Sequence, residues 1–185
     1  MPSFDHFDFI APIYARVGEY SGLQTLLRVA DLPTQGRLLD VGGGTGRVSR
    51  SLRDHVDGIM LADVSLGMLR FAASVPGLRP AAAASERLPF PDGSFERIII
   101  VDALHHVAHQ STTANELWRV LKPGGRIVIE EPDIRTFGVK LIALAEKLLL
   151  MRSHFLSPQQ IKELFPQARV DIFAEDSSAW VIVHK

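Results

Sequence analysis

The stretch Arg37-Leu-Leu-Asp-Val-Gly-Gly-Gly-Thr-Gly-Arg47 limits what this chain can fold into more than any other part of it. Leu38, Leu39 and Val41 form a short apolar run that reads as a buried strand. Gly42, Gly43, Gly44 and Gly46 follow, and Arg47 to Arg53 then has helical character. Strand, glycine turn and helix in that order open a nucleotide-binding βαβ unit. Glycine accepts positive φ and lets a ligand approach the backbone with no Cβ in the way. The first N–H groups of a helix lack intrahelical acceptors, so an anionic group is expected in the turn.

Spacing decides which nucleotides are excluded. A dinucleotide fingerprint needs Gly-x-Gly-x-x-Gly. Counting from Gly42, the third glycine position is Arg47; counting from Gly44, it is Ser49. A P-loop needs Gly-Lys-Ser/Thr, and that tripeptide does not occur. What stands is Asp40-x-Gly42-x-Gly44-x-Gly46, with an acid at the strand end, which suits a ligand with an ammonium group better than a pyrophosphate. A tight turn with no ligand is the alternative.

The 185 residues suffice for one complete α/β domain and are too few for two comfortable ones. At 46% hydrophobic and 22% charged the composition is that of an ordinary globular protein. The net charge is -1 and no run of Lys or Arg occurs, so no nucleic-acid partner is expected. Cys is absent, which removes thiolate catalysis, thiolate metal sites and disulfides. The acidic start, Met1-Pro-Ser-Phe-Asp-His-Phe-Asp, lacks the profile of a signal peptide. The most apolar segment, Phe137 to Met151, holds 15 residues, too few to span a bilayer at ~1.5 Å per residue. No membrane insertion and a cytoplasmic location are expected.

Two helical pieces, about Phe9 to Tyr20 and Gly22 to Ala30, precede the first strand, and Leu32-Pro33 ends the second. The first is read as a helix on the sheet or a flap over the ligand cleft, with Tyr14 reaching into it. Gly58 to Leu61 reads as the second strand, ending at Asp63. That residue lies 21 positions beyond Gly42, a spacing at which a βαβ unit places an acid beside a ribose. Leu66 to Ser74 is a helix, with Met68 and Leu69 able to lie under an adenine. Arg79 to Ala84 is a strand interrupted by Pro80. A turn-rich loop, Ser85 to Phe95, leads to the Ile/Val run Arg97 to Val101, the mark of a strand buried on both faces. Ser111 to Leu121 is a helix stopped by Lys122-Pro-Gly-Gly125, and Arg126 to Glu130 is the fifth strand. After Pro132 come an apolar helix, Phe137 to Met151, and one N-capped at Ser157-Pro158. Two strands, Arg169 to Ala174 and Ala179 to His184, form an antiparallel hairpin. The alternation of strand and helix requires parallel strands elsewhere. Asp40, Asp63, Ser85 and Asp102 would then surround one cleft at the strand ends.

These segments together resemble the class I S-adenosylmethionine-dependent methyltransferases, and are most similar to the ubiquinone/menaquinone-biosynthesis group. The matching residues are Leu38–Gly46, Ala62-Asp-Val-Ser-Leu-Gly-Met-Leu69, Leu88-Pro-Phe-Pro-Asp-Gly-Ser-Phe95, Ala103-Leu-His-His-Val107 and Glu116-Leu-Trp-Arg-Val-Leu-Lys-Pro-Gly-Gly125. The resemblance implies an α/β, Rossmann-like three-layer sandwich whose seven-stranded, mostly parallel sheet ends in the antiparallel hairpin. It implies S-adenosylmethionine as cofactor and S-adenosylhomocysteine as product. Asp40 with Gly42, Gly44, Thr45 and Gly46 would hold the methionine end, and Asp63 the ribose hydroxyls. Val64 and Met68 would lie against the adenine, with Ser85 and Glu86 at its edge. Asp102 would bind the amino group, and Tyr14 would belong to the flap. The chain would be one domain: a helical flap (1–36), a cofactor core (37–131), lid or dimerisation helices (132–165) and the hairpin (166–185). Two departures stand out: Ala84 where the family often has Asp, and Ala15 where Asp commonly follows the flap tyrosine.

Methyl transfer from a sulfonium is an in-line displacement in which positioning and desolvation carry most of the catalysis. A phenol or enol acceptor must also lose a proton, and His105 and His106 at the cleft rim are candidate bases, with packing or capping the alternative for either. His154 is a weaker candidate. No third ligand is spaced to make a metal site. The expected acceptor is a small, partly apolar molecule such as a quinone-like phenol, under a lid formed by the Phe137–Met151 helix. That helix burying a homodimer interface is the alternative. A silent S-adenosylmethionine-binding module is a second functional class, and an NAD-dependent oxidoreductase a third, disfavoured by the glycine spacing.

Overall fold

Seven strands form one sheet in the order β3-β2-β1-β4-β5-β7-β6. The computed structural model describes residues 11–12, 18, 20–133, 154–175 and 177–185. The strands are β1 (Arg37–Val41), β2 (Gly58–Asp63), β3 (Leu78–Ala82), β4 (Phe95–Val101), β5 (Leu121–Pro132), β6 (Arg169–Glu175) and β7 (Ser178–His184). The described helices are α1 (Leu23–Val29), α2 (Arg47–Leu52), α3 (Leu66–Ala72), α4 (Gln110–Val120) and α5 (Pro158–Glu163). Pairing is parallel from β3 through β5 and antiparallel where β7 meets β5 and β6. This is the expected mostly parallel sheet with a closing hairpin. The chain winds outward from β1 to β3, then returns to lay β4 against the other side of β1. A crevice opens where that winding reverses.

Period-two alternation explains why the strands read as continuous apolar runs. Leu39, Val41, Ile98, Ile100, Ile127, Ile129, Val181 and Val183 share one core with Leu117 of α4 and Ile161 of α5. Leu38, Ile99, Val101, Val128 and Ile182 belong to a second core with Leu26 of α1, Leu52 of α2 and Leu69 of α3. Successive side chains point to opposite faces, so both faces need apolar residues and both are covered by helices. Three layers result.

Arg119 on α4 ties together two of the segments that stood out in the sequence. Its guanidinium donates to Phe90 O, Asp92 Oδ1 and Glu116 Oε1, each at 2.8 Å, and to Leu88 O at 3.1 Å. Glu116 in turn accepts from Leu88 N at 2.8 Å. The loop from Leu88 to Phe95 is thus held against α4, which sets where β4 begins.

Two boundaries differ from the sequence expectation, while the helix before β1, capped by Gly22 and Ala30, keeps its expected span. Leu121 is not the end of the helix: α4 stops at Val120, and Leu121 already pairs with Phe95. Lys122 to Gly125 is taken up where the register shifts between Phe95 and Arg97. The C-terminal residue closes this bulge, since Gly124 N donates to Lys185 O and Lys185 N to Gly125 O. The third strand runs from Leu78 to Ala82 rather than to Ala84, and it tolerates Pro80 because it is a sheet edge. The helix before β1 ends at Val29, ahead of Leu32-Pro33, with Asp31 at φ 57°. The expected Phe137–Met151 lid, Tyr14, Ala15 and most of the Phe9–Tyr20 piece lie outside the described residues.

Candidate functional site

The C-terminal ends of β1, β2, β4 and β5 open onto a cleft of about 570 Å³. Its described lining includes Asp40, Gly42, Gly44, Thr45, Asp63, Val64, Met68, Ser85, Glu86, Asp102, His105 and His106. Twelve residues singled out in the sequence, spread over 67 positions, therefore meet in one place. Gly46 does not line it. Gly46 sits at φ 81°, a backbone conformation strained for residues other than glycine, and a hypothetical Cβ would also lie 2.6 Å from Leu78 Cδ1. Gly44, at φ 55°, is the open position, with only Met68 Sδ near a hypothetical Cβ, at 3.9 Å.

Asp63 closes the turn from inside. Its Oδ2 accepts from Gly44 N and its Oδ1 from Ser65 N, both at 2.8 Å. The sequence suggested that an N–H of the glycine turn would face a ligand anion; here the chain's own carboxylate takes that role at Gly44. A pyrophosphate would meet this charge with repulsion. α2 is six residues long and adds little dipole to oppose it.

Asp40 is buried beneath the turn, at 2% exposed, and accepts from Ser49 Oγ at 2.7 Å. Burial first, then the charge of Asp63, pushes its carboxyl up to about 7, against the opposing pull of Ser49 and Arg47. Asp102 follows β4 with φ 54°, in the left-handed region that aspartate tolerates better than most residues. Its N–H is held by Glu130 O at 2.9 Å, so the strained turn is anchored to β5. At the other wall Ser85 is 2.9 Å from Thr113 Oγ1 and donates to Glu86 Oε2 at 3.2 Å. Glu86 also accepts from His109 N at 3.2 Å. Ala84, the departure from the family pattern, is exposed.

The two histidines differ. His105 is buried, with Nδ1 2.5 Å from Glu131 Oε2 and its ring stacked on Phe155 at 4.4 Å. His106 is held down to about 4, by burial first and the neighbouring His105 second, so it is neutral at physiological pH. His154 is exposed, and its N–H donates to His105 O at 2.7 Å. It is a tether for the backbone of the histidine pair.

Several lining residues escaped the sequence reading. Arg47, the end of the glycine stretch, lines the cleft and lies over the Tyr20 ring, 5.6 Å from its centroid. Tyr20 donates to the buried Glu130, and burial raises the pKa of both groups. Pro132 and Phe155 form apolar wall beside the histidines. Only Arg47 carried a local signal, its place directly after the last glycine; the others come together through long-range packing.

Residues 39–129 match the family model described as a methyltransferase domain. This segment is a class I methyltransferase domain. The donor of that class is S-adenosylmethionine. Among curated relatives, a ubiquinone/menaquinone biosynthesis C-methyltransferase of Pseudomonas savastanoi is 33% identical over 115 residues, covering 57% of this chain and 45% of the relative. A demethylmenaquinone methyltransferase of Renibacterium salmoninarum is 33% identical over 141 residues, covering 71% and 59%. The chain thus spans about half the length of the curated relatives it matches. A solved methyltransferase structure from Thermotoga maritima superposes with a TM-score of 0.80 at 22% identity, covering 97% of this chain and 98% of that one. That likeness is one of fold: the methyltransferase sheet with its antiparallel end is the architecture described above. Among the described residues no helix is long and apolar enough to cross a membrane.

Proposed function

We propose that this chain transfers the methyl group of S-adenosylmethionine to a small, partly apolar acceptor bearing a phenol-like hydroxyl. One observation carries the reading: strand-end acids and an apolar, histidine-bearing wall share a single cleft. A cleft of about 570 Å³ lies within the range that holds a ligand of this size. Asp63 at the end of β2 suits the ribose diol, because a carboxylate oxygen can accept more than one hydrogen bond. Val64 and Met68 would face the adenine ring, with Glu86 and Ser85 at its amino edge. Asp102 and Asp40 would face the ammonium, and Arg47 is placed near the same end. When bound, the cofactor would supply an electrophilic methyl on sulfur, and His105, Val107, Pro132 and Phe155 line the same cleft. Glu86 in the wall supplies an acid that Ala84 does not, which supports adenine binding at this edge. The relatives' names, which concern quinone biosynthesis, support the acceptor class.

The direct experiment incubates the protein with S-adenosylmethionine and either a dihydroxynaphthalene or an aliphatic amine, and follows S-adenosylhomocysteine formation. Turnover of the naphthol alone is the expected result. Turnover of the amine alone would overturn the acceptor assignment.

Asp40 makes the binding pH-dependent. Its folded pKa of about 7 lies above the ordinary carboxylate value, so the ligand-free protein carries a proton there that the unfolded chain has lost. This group's share of stability is therefore present at low pH and declines as pH rises through that window. A ligand ammonium reverses the preference and favours ionised Asp40. S-adenosylhomocysteine affinity should rise with pH up to about 7, by as much as about tenfold per unit below it, and then level off. Calorimetry in buffers of different ionisation heat should show proton release near pH 6. An affinity flat between about pH 5.5 and 8 would remove Asp40 from the ammonium site.

A further inference from the structure

Glu131 ends β5 with a carboxylate that is 4% exposed as a residue and fully engaged with the chain leaving β4. Its Oε1 accepts from Ala103 N at 3.0 Å and Leu104 N at 2.7 Å, and its Oε2 lies 2.5 Å from His105 Nδ1. A buried carboxylate is costly unless its charge is met by donors, and here two backbone N–H groups and the His105 ring nitrogen, from three consecutive residues, meet it. Its neighbour Glu130 points to the opposite face of the sheet, toward Tyr20, so the two acids serve different sites.

We propose that Glu131 is a positioning residue: it holds His105 as the base that removes the acceptor's proton, and so selects acceptors with an ionisable hydroxyl. This rests on the methyl-transfer reading above and names the group that completes it. An ionised carboxylate only accepts, so the hydrogen on His105 belongs on Nδ1 and the lone pair on Nε2. Phe155, 4.4 Å away and nearly parallel, and His106, at 4.0 Å and tilted, hold the ring plane. Among the described residues, the titratable groups against this ring include Glu131 on β5 and His106 on its own segment; Asp102 lines the same cleft, and His154 lies on the segment tethered to its carbonyl. In the step, the acceptor O–H proton passes to His105 Nε2, and the acceptor's oxygen forms the new bond to the methyl. The methyl–sulfur bond breaks with its electron pair remaining on sulfur. The imidazolium then returns its proton to solvent. His106 does not share the task, because its basicity is too low to hold an acceptor proton.

The test is Glu131→Gln. The amide carbonyl still accepts from Ala103 and Leu104, while the amide N–H₂ now donates to Nδ1 and forces the hydrogen to Nε2. In ¹⁵N-resolved NMR, His105 should be the Nδ1–H tautomer in the wild type and the Nε2–H tautomer in the variant. With a dihydroxynaphthalene acceptor, kcat should fall by about 100-fold or more, with S-adenosylhomocysteine affinity within about twofold of wild type. Glu131→Asp should recover part of the loss. If Glu131→Gln does not fold, His105→Phe, which keeps the stack on Phe155, should show the same fall in kcat. A wild-type Nε2–H tautomer, or an inverted tautomer with unchanged kcat, overturns the proposal. Failure of the wild type to bind S-adenosylhomocysteine would instead sink the methyl-transfer reading, and the tautomer would still decide whether Glu131 orients His105.

Discussion

Asp63→Ala should lower the affinity for S-adenosylhomocysteine by at least about 100-fold. In the proposed binding mode two ribose hydroxyls would donate to this carboxylate, each bond worth about 1.5–3 kcal/mol. The same change removes the acceptor for Gly44 N and Ser65 N, so the glycine turn loses its internal brace. Asp63→Asn separates the two effects. Its carbonyl can still accept from Gly44 N, but the charge and one acceptor oxygen are gone, so affinity should fall while the melting temperature changes little. Titration calorimetry with S-adenosylhomocysteine and a thermal melt on each variant measure both quantities. Unchanged affinity in Asp63→Ala would place the ribose elsewhere in the cleft.

Gly42→Ala should cost about 2–4 kcal/mol of stability, a fall of roughly 5–15 °C in melting temperature for a chain of this size. Gly42 sits at φ 70°, where an alanine is strained by about 1–2 kcal/mol. A Cβ there would also lie 2.6 Å from the Ala103 Cβ, closer than packed carbons approach. Ala103 begins the segment that carries His105, and its N–H is held by Glu131. The clash therefore presses the cofactor turn against the histidine segment. Adding Ala103→Gly relieves the overlap but leaves the φ strain, so the double variant should recover about half of the loss. A double variant no more stable than Gly42→Ala would show that backbone strain, not the Ala103 contact, explains the glycine.

The parts of the fold legible in the sequence were those set by local pattern. Ile98, Ile99 and Ile100 announce a strand buried on both faces, and the parallel direction of the strands follows from the alternation of strand and helix. Asp40, Asp63 and Asp102 could be placed in one cleft because strand ends in a parallel sheet point the same way. Leu121 was misplaced because Leu117, Val120 and Leu121 continue a helical spacing, and only the long-range pairing with Phe95 ends it. Gly46 read as a ligand glycine from its neighbours, whereas its φ of 81° and its place beside Leu78, 32 residues later, account for it without a ligand. Glu131 and Tyr20 carried no local signal at all, since the partners of each lie across the sheet. The histidine pair was visible as a pair. Which member has the carboxylate behind it was not, because Glu131 is 26 residues from His105.

Titrating the protein with S-adenosylhomocysteine and separately with NAD tests the central claim most directly. The acid-braced glycine turn predicts one S-adenosylhomocysteine bound per chain in the micromolar range and no heat from NAD. Binding of NAD with none of S-adenosylhomocysteine would contradict it.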